Sequence, residues 1–473
     1  MMGLKPDPIT SDTAMPMSFS SRSFPARMPR CLALVCAMAL CCGQNRLSAI
    51  GPDSAELNKA IDQDYDAYLS DLFLHFHQNP ELSLVEFKTA ARMGRELRAV
   101  GFDVTEGVGG TGIVAVLANG DGPTVMMRAD MDGLPVEEKS GLEYASKATQ
   151  EDPITGNVVP VMHACGHDVH ITSLVGTARY MSSNRDRWSG TLMLIVQPAE
   201  ERIAGARAMK QDRLWDRFGV PDYALAFHVS AQTEAGMINV VDGSPYAGSD
   251  TVDIIVHGVG AHGASPHRGK DPIVLASQIV LALQTLVSRE IAPREPGVIT
   301  VGSFHAGTKH NIISDEARLQ LTVRSTNTET RQTLLDGIRR IAVNMGRVAG
   351  LPDDKLPEVI VSEESVPPTF NQAELAQRLR QAWTDQIGSE VVIAETQKGM
   401  GAEDFPVFTT EPNIPSVYWG IGGTPAEAFA AEADGGEMVP SHHSPLFKIT
   451  PEPSVKRGIE STVIALIELM PKP

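Results

Sequence analysis

The sequence predicts an α/β protein. Its main domain has a largely parallel central sheet with helices on both faces, interrupted by a smaller ferredoxin-like α+β domain. Three observations carry this. Between residues 112 and 229 short apolar runs alternate with segments of helical period, the pattern of parallel strands covered on both faces. From residue 251 the order becomes strand–helix–strand–strand–helix–strand, the split arrangement. From Glu374 helix and strand resume, as in a first domain taking up its sheet again. With 473 residues the chain has room for two or three domains and a large core. The expected boundaries are a leader at 1–49, a main domain at 50–247 and 366–473, and an inserted domain at 248–365.

Each element has its residues. Arg22, Arg27 and Arg30 precede an apolar run at 31–42, too short to span a bilayer but suited to a signal-peptide core. Leu47-Ser-Ala49 then serves as the cleavage site, and export to a periplasm or out of the cell is expected. Acylation at Cys41 or Cys42 fits less well, because Ala39-Leu40 makes a poor lipidation box. Apolar residues recur at helical spacing in Tyr65, Tyr68, Leu69, Leu72 and Phe73, and again in Ala90, Met93, Leu97 and Val100. Two helices are therefore expected between Asp64 and Ala99, parted at Pro80 and stopped by Gly101. Strands follow at 112–117, 124–128, 191–196 and 223–229, with helices at 171–181 and 204–210. The second unit has strands at 251–256, 298–301, 317–323 and 358–361, and helices at 272–287 and 329–349. Pro367-Pro368 forms the return linker, and 413–418 a strand of the resumed sheet.

Composition narrows the function. The chain is 42% hydrophobic and 21% charged, an ordinary soluble globular balance. Its net charge is −18; the leader carries +3, leaving −21 on the remainder, so neither nucleic acid nor an anionic membrane is an expected partner. No stable membrane span is expected. Cys31, Cys36, Cys41 and Cys42 all lie in the leader. The exported chain would keep Cys165 alone, with no internal disulfide. A lone thiol in an oxidising compartment needs protection, which a bound metal would give.

The densest chemistry lies in Val161-Met-His-Ala-Cys-Gly-His-Asp-Val-His170. Cys165 and His167 flank a glycine, so both side chains can turn to one point. Thiolate with neutral imidazole suits borderline-soft divalent metals. In open parallel sheets ligands gather beyond the carboxyl ends of the strands. Asp130 and Asp132 follow one such strand, Glu200 and Glu201 a second, and His228 sits near the end of a third. Singly, such an Asp is usually a cap, such glutamates a solvated helix start, and such a His a satisfied core residue. Together they make a site. One glutamate could bind metal while its neighbour acts as general base, and the spacing does not say which.

Seven ordered motifs carry a resemblance. They are His77-Gln-Asn-Pro-Glu-Leu82, Arg128-Ala-Asp-Met-Asp-Gly-Leu-Pro135, His163-Ala-Cys-Gly-His-Asp168, Gln197-Pro-Ala-Glu-Glu201, Ala261-His-Gly-Ala-Ser-Pro-His267, Met400-Gly-Ala-Glu-Asp-Phe405 and His443-Ser-Pro-Leu-Phe447. The chain resembles the amidohydrolase branch of the dinuclear-metal aminoacylase and carboxypeptidase family. That branch includes auxin-conjugate hydrolases, hippurate hydrolases and bacterial N-acyl-amino-acid hydrolases.

The resemblance implies that Cys165, His167, Glu201, His228 and His443 bind two divalent metal ions, zinc or manganese foremost, with cobalt or nickel as alternatives. Glu200 would be the base, and Asp130 or Asp132 would orient the site. The main domain would be catalytic and the inserted one a lid and dimerisation domain; His262 would reach from it to the oxyanion, in its own or the partner subunit's site, and Asn311 and Arg324 would hold substrate. A homodimer is implied. The implied reaction is hydrolysis of the amide bond of an N-acyl amino acid or small peptide-like amide by a metal-activated water.

Two positions depart from the family pattern. Asn311-Ile-Ile-Ser314 ends in serine where proline is usual, and His310 precedes the asparagine. Both bear on substrate rather than on reaction type. Two other classes compete: a cysteine-nucleophile hydrolase, and an envelope protein that binds metal or acyl-amino acids without turnover. Cys165 and its neighbours His163, His167 and His170 are too close in sequence for a usual nucleophile–base pair. A protein that only binds has no need of Glu200.

Overall fold

The computed structural model describes residues 54–396 and 399–472; the expected leader lies outside them. Four parallel strands form the centre of an eight-stranded sheet, in the order Gly190–Gln197, Thr124–Asp130, Tyr223–Glu234 and Ser416–Thr424. Gly112–Asn119 and Asp103–Val108 extend one side antiparallel. Ile238–Asn239 and Val392–Ile393 lie beyond the other.

The pleat divides the strand residues between two cores. Val125, Met127, Leu192, Leu194, Leu225 and Phe227 pack with Leu69 and Phe73 near the N-terminus, Val169 and Leu174, and Ile459 and Val463 near the C-terminus. Met126, Met193, Ile195 and Ala224 face the other way, against Met209, Leu214, Phe405 and Phe408. Both faces are covered, which is why these strands carry continuous apolar runs such as Val125–Met127 and Leu192–Val196.

A separate four-stranded antiparallel sheet has the order Gly297–Ala306, Glu316–Ser325, Gly248–His257, Glu358–Val361. In chain order these are its second, third, first and fourth strands, the split arrangement that the sequence predicts. Every second residue of Glu316–Ser325 is buried. These residues, with Val252 and Ile254, meet Ile279 and Leu283 of the Pro272–Thr285 helix and Leu334 and Ile338 of the Thr328–Val348 helix in a core of their own. The stretch Pro272–Glu290 is apolar and long enough to cross a membrane, with a mean hydropathy of 1.4. Its Leu275, Ile279, Leu283 and Leu286 are instead spent on this core, while Ile273, Val274 and Leu281 remain exposed.

Some boundaries differ from expectation for local reasons. The first helical run begins at Ser54 and continues to Gln78 through a π-helical segment at Tyr65–Leu69, because Leu57 and Ile61 lengthen its buried stripe. The Asp103–Val108 strand has no apolar alternation, since only Val108 is buried. The last parallel strand begins at Ser416, just after Pro415, which has no N–H for a ladder. The helix expected at 171–181 spans His167–Ser183, so His167 stands in its first turn.

Candidate metal centre

Three turns aim the polar residues at the carboxyl edge of the parallel strands. Gly166 adopts φ 81°, and a Cβ there would collide with Val229. Only glycine suits the close turn that points Cys165 and His167 to one place. Glu200 and Glu201 sit in a single 3-10 turn flanked by Ala199 at φ 48° and Ile203 at φ 52°. Left-handed backbone at two non-glycine residues is strain of a kind that collects at functional sites. His443 is a third case, at φ 67°.

Asp132 holds this arrangement from beneath. Its Oδ1 accepts the N–H of Glu200 and its Oδ2 that of Glu201, both at 3.1 Å, and Ser83 donates to Oδ2 at 2.6 Å. Its backbone carbonyl lies 2.9 Å from Nδ1 of His167. With the Asp132 carbonyl engaging Nδ1, Nε2 of His167 is the nitrogen that faces the centre. His228 is set likewise, with Nδ1 2.6 Å from the Val229 carbonyl and Nε2 3.4 Å from Sγ of Cys165. Nε2 of His443 lies 3.3 Å from Oε2 of Glu201, and Nε2 of His167 lies 4.0 Å from Oε1 of the same carboxylate.

Donor atoms of Cys165, His167 and His228 form one group within 4.8 Å, and those of Cys165, Glu201 and His443 form another. Both contain the same sulfur. The five donors expected from sequence are thus together in one chain.

The surroundings suit cations. Burial first, and then the Glu201 and Glu200 carboxylates, push the Cys165 thiol well above its ordinary range. Burial also raises Glu201 to about 8 and, with Glu403 and Glu201 beside it, lifts Glu200 well above the usual carboxylate range. Against the pull of burial, Asp130 and Asp132 raise His167 to about 10. Nε2 of His167 and Oε1 of Glu201 are buried without a hydrogen-bond partner. Each such atom costs about 1–3 kcal/mol unless something satisfies it. A thiol, carboxylates and imidazole lone pairs turned on one point fit divalent metal ions.

Asp130 is enclosed rather than presented. Its Oδ1 meets Nδ1 of His170 at 2.5 Å and its Oδ2 meets Arg128 at 2.5 Å, and it does not line the cavity. Arg128, wholly buried, also binds Gln197 at 2.8 Å, Glu403 at 2.7 Å and Asp404 at 3.3 Å. This tie between strand ends and the Met400–Phe405 motif was not legible in the sequence, because its partners lie up to 276 residues apart.

The cavity has a volume of about 840 Å³ and is lined by Cys165, Glu200, Glu201, His228 and His443, with Arg324 from the small sheet on its wall. His262 and Asn311 are elsewhere. They lie on the short pair Ala261–His262 and Ile312–Ile313 and its approach, exposed, and neither lines the cavity. Nδ1 of His262 accepts the N–H of Ala264 at 3.0 Å. The sequence reading also omitted His442. It lines the cavity with Nδ1 3.7 Å from the Cys165 sulfur, and the only sequence signal for it was its place beside His443.

A model of peptidase family M20/M25/M40 matches residues 126–434. Thermostable carboxypeptidase 2 of Saccharolobus solfataricus is 38% identical over 350 residues, 73% of this chain and 83% of that one. Hippurate hydrolase of Campylobacter jejuni is 35% identical over 334 residues, 70% and 82% of the two chains. Among solved structures, the YXEP protein of Bacillus subtilis, described as a dinuclear metal binding peptidase from M20 family, superposes with a TM-score of 0.69. It is 25% identical, and the match covers 86% of this chain and all of that one.

Proposed function

Because the chain belongs to peptidase family M20/M25/M40, we propose that its cavity hydrolyses the amide bond of an N-acyl amino acid or a small peptide-like amide. The observation that carries this is Glu200, a carboxylate on the cavity wall immediately beside the Cys165, His167, Glu201, His228 and His443 donor set. These five residues would hold two divalent cations. Zinc and manganese come first, and cobalt and nickel also suit the mixed donors. When bound, such ions polarise an amide carbonyl and make a water acidic at neutral pH.

The remaining steps belong to the chain's own residues. Glu200 takes a proton from the attacking water and returns it to the leaving nitrogen. Asp132 keeps Glu200, Glu201 and His167 in register. Arg324, half-buried on the wall, pairs with the carboxylate of the substrate, a role that suits the name of the hippurate hydrolase relative. His262 of a second copy would support the oxyanion, with Asn311 beside it on the substrate. Exposed Ile273, Val274 and Leu281 and the edge strand Gly297–Ala306 support a homodimer through the small sheet, which would also act as a lid. The basic and apolar leader supports export.

A nucleophilic Cys165 is disfavoured, since its surroundings raise the thiol where an attacking sulfur needs the opposite. The test is amino-acid release from N-acetyl, N-benzoyl and N-indolylacetyl amino acids and short peptides, with manganese- or zinc-loaded protein, with and without chelator. Chelator-sensitive release is expected. Saturable binding without release would favour the envelope binding protein, and release that survives chelation but not alkylation would favour the thiol.

A further inference from the structure

Two consecutive histidines close the centre, and their hydrogen bonds give them different tasks. Nε2 of His442 accepts the N–H of Ala231 at 3.1 Å. A neutral imidazole that accepts at Nε2 carries its proton on Nδ1. That Nδ1 faces Sγ of Cys165 at 3.7 Å. The ring is held by Phe447, with centroids 4.9 Å apart and planes 36° from parallel, and by the edge of His228 at 5.2 Å. Its orientation is therefore fixed on three sides. A protonated Nδ1 has no lone pair to offer a cation. His443, turned by its left-handed backbone, instead directs Nε2 at the Glu201 carboxylate.

We infer that His442 is a positioning residue that donates a hydrogen bond from Nδ1–H to the Cys165 thiolate, while His443 alone of the pair is a metal ligand. The inference rests on the metal reading proposed above. A thiolate that accepts an N–H bond gives less electron density to a cation, and its sulfur is held at one angle. His442 would thus set how strongly the sulfur shared by both donor groups binds, without touching metal or substrate. The sequence motif alone cannot separate the two histidines; the Ala231 N–H does.

The experiment uses full-length protein loaded with cobalt(II) and reads the sulfur-to-cobalt charge-transfer absorption alongside cobalt content. His442→Phe keeps a ring against Phe447 but removes the donor. It should retain two cobalt ions per chain and move the band to longer wavelength. His442→Gln, which keeps an N–H donor, should return the band towards that of the parent protein. His443→Phe should lose about one ion. An unmoved band in a fully loaded His442→Phe protein overturns the inference, as does loss of an ion from that variant while His443→Phe keeps both.

Nitrogen-15 NMR of the zinc-loaded parent protein reads the tautomer directly, whether or not a variant folds. A His442 protonated on Nδ1 supports the inference, and one protonated on Nε2 overturns it. Parent protein that takes up cobalt without any sulfur-to-cobalt band removes Cys165 as a ligand, and this inference with it. That failure is distinct from a band that is present but indifferent to His442.

Discussion

The carboxyl edge of the large sheet and the outer loops of the small sheet both carry histidines, and they are in opposite conditions. At the large sheet His167 is wholly buried, its Nδ1 committed to Asp132 and its Nε2 left without a hydrogen bond. At the small sheet His262 is exposed, with Nδ1 already engaged by its own loop. One region is a finished donor set. The other supplies a single chain's cavity with Arg324 and nothing more of the residues expected there. The difference teaches that a chain can gather its candidate metal donors at one sheet edge without bringing His262 and Asn311 to the same cavity.

Variants can break that division or sharpen it. The largest effect is expected for Glu200→Gln, which should lower kcat by about 10²–10⁴-fold with metal content unchanged by atomic emission. Ordinary turnover would move the base elsewhere. His262→Ala should lower kcat by about 10²–10³-fold, also without loss of metal. If His262 serves its partner, mixing Glu200→Gln with His262→Ala protein should restore activity, because each mixed dimer regains one whole site. No recovery on mixing would confine His262 to its own chain.

Cys165→Ser should weaken metal binding by about 100-fold or more in competition with a chelator, beyond the cost of losing an outer-shell contact. Unchanged stoichiometry and affinity would remove the sulfur from the donor set. Arg324→Gln should raise KM about tenfold for N-acyl amino acids, in line with loss of one charge-assisted pair. It should leave the corresponding α-amides unaffected, and equal effects on both would remove the carboxylate contact.

The smallest effect concerns pH. His77 lies 2.7 Å from Asp168 and 3.2 Å from Glu138, and against the pull of burial these raise it to about 9. Its ordinary unfolded value is about 6.5. A group raised on folding adds stability that is fully present below the unfolded value and is lost as pH rises through the folded one. Melting temperature should therefore decline between about pH 6.5 and 9.5, and His77→Gln should flatten that decline. The same slope in both proteins would place the effect outside this cluster.

Legibility followed how far each signal extends along the chain. The four parallel strands were evident because burial on both faces leaves a continuous apolar run, as in Leu192–Val196. The third strand of the small sheet was evident because Glu316–Ser325 alternates cleanly. Cys165, His167 and His228 stood out because they follow a strand end or share one turn, and the Glu200–Glu201 pair likewise, but the choice of Glu201 as the donor came only with the resemblance. His443 was found through its motif. What stayed hidden depends on partners distant in sequence. Arg128 looks like an ordinary strand-end cation until Glu403 and Asp404 surround it. Asp130 and Asp132 look equivalent, but one is locked to Arg128 and His170 while the other carries both glutamates. His442 and His443 are the same residue type side by side, and only a backbone N–H from another strand tells them apart.

The spread of the donors along the chain has a consequence in time. Cys165 is made before the whole small sheet, whereas His443 comes after it. Arg128 likewise waits for Glu403 and Asp404. A growing chain would hold thiol, imidazole and carboxylate with no complete seat for an ion through most of its synthesis. Capture of the ions then has to wait until the small sheet has been made, and a chain cut short before residue 440 would lack the last of the proposed donors however well its sheets had formed.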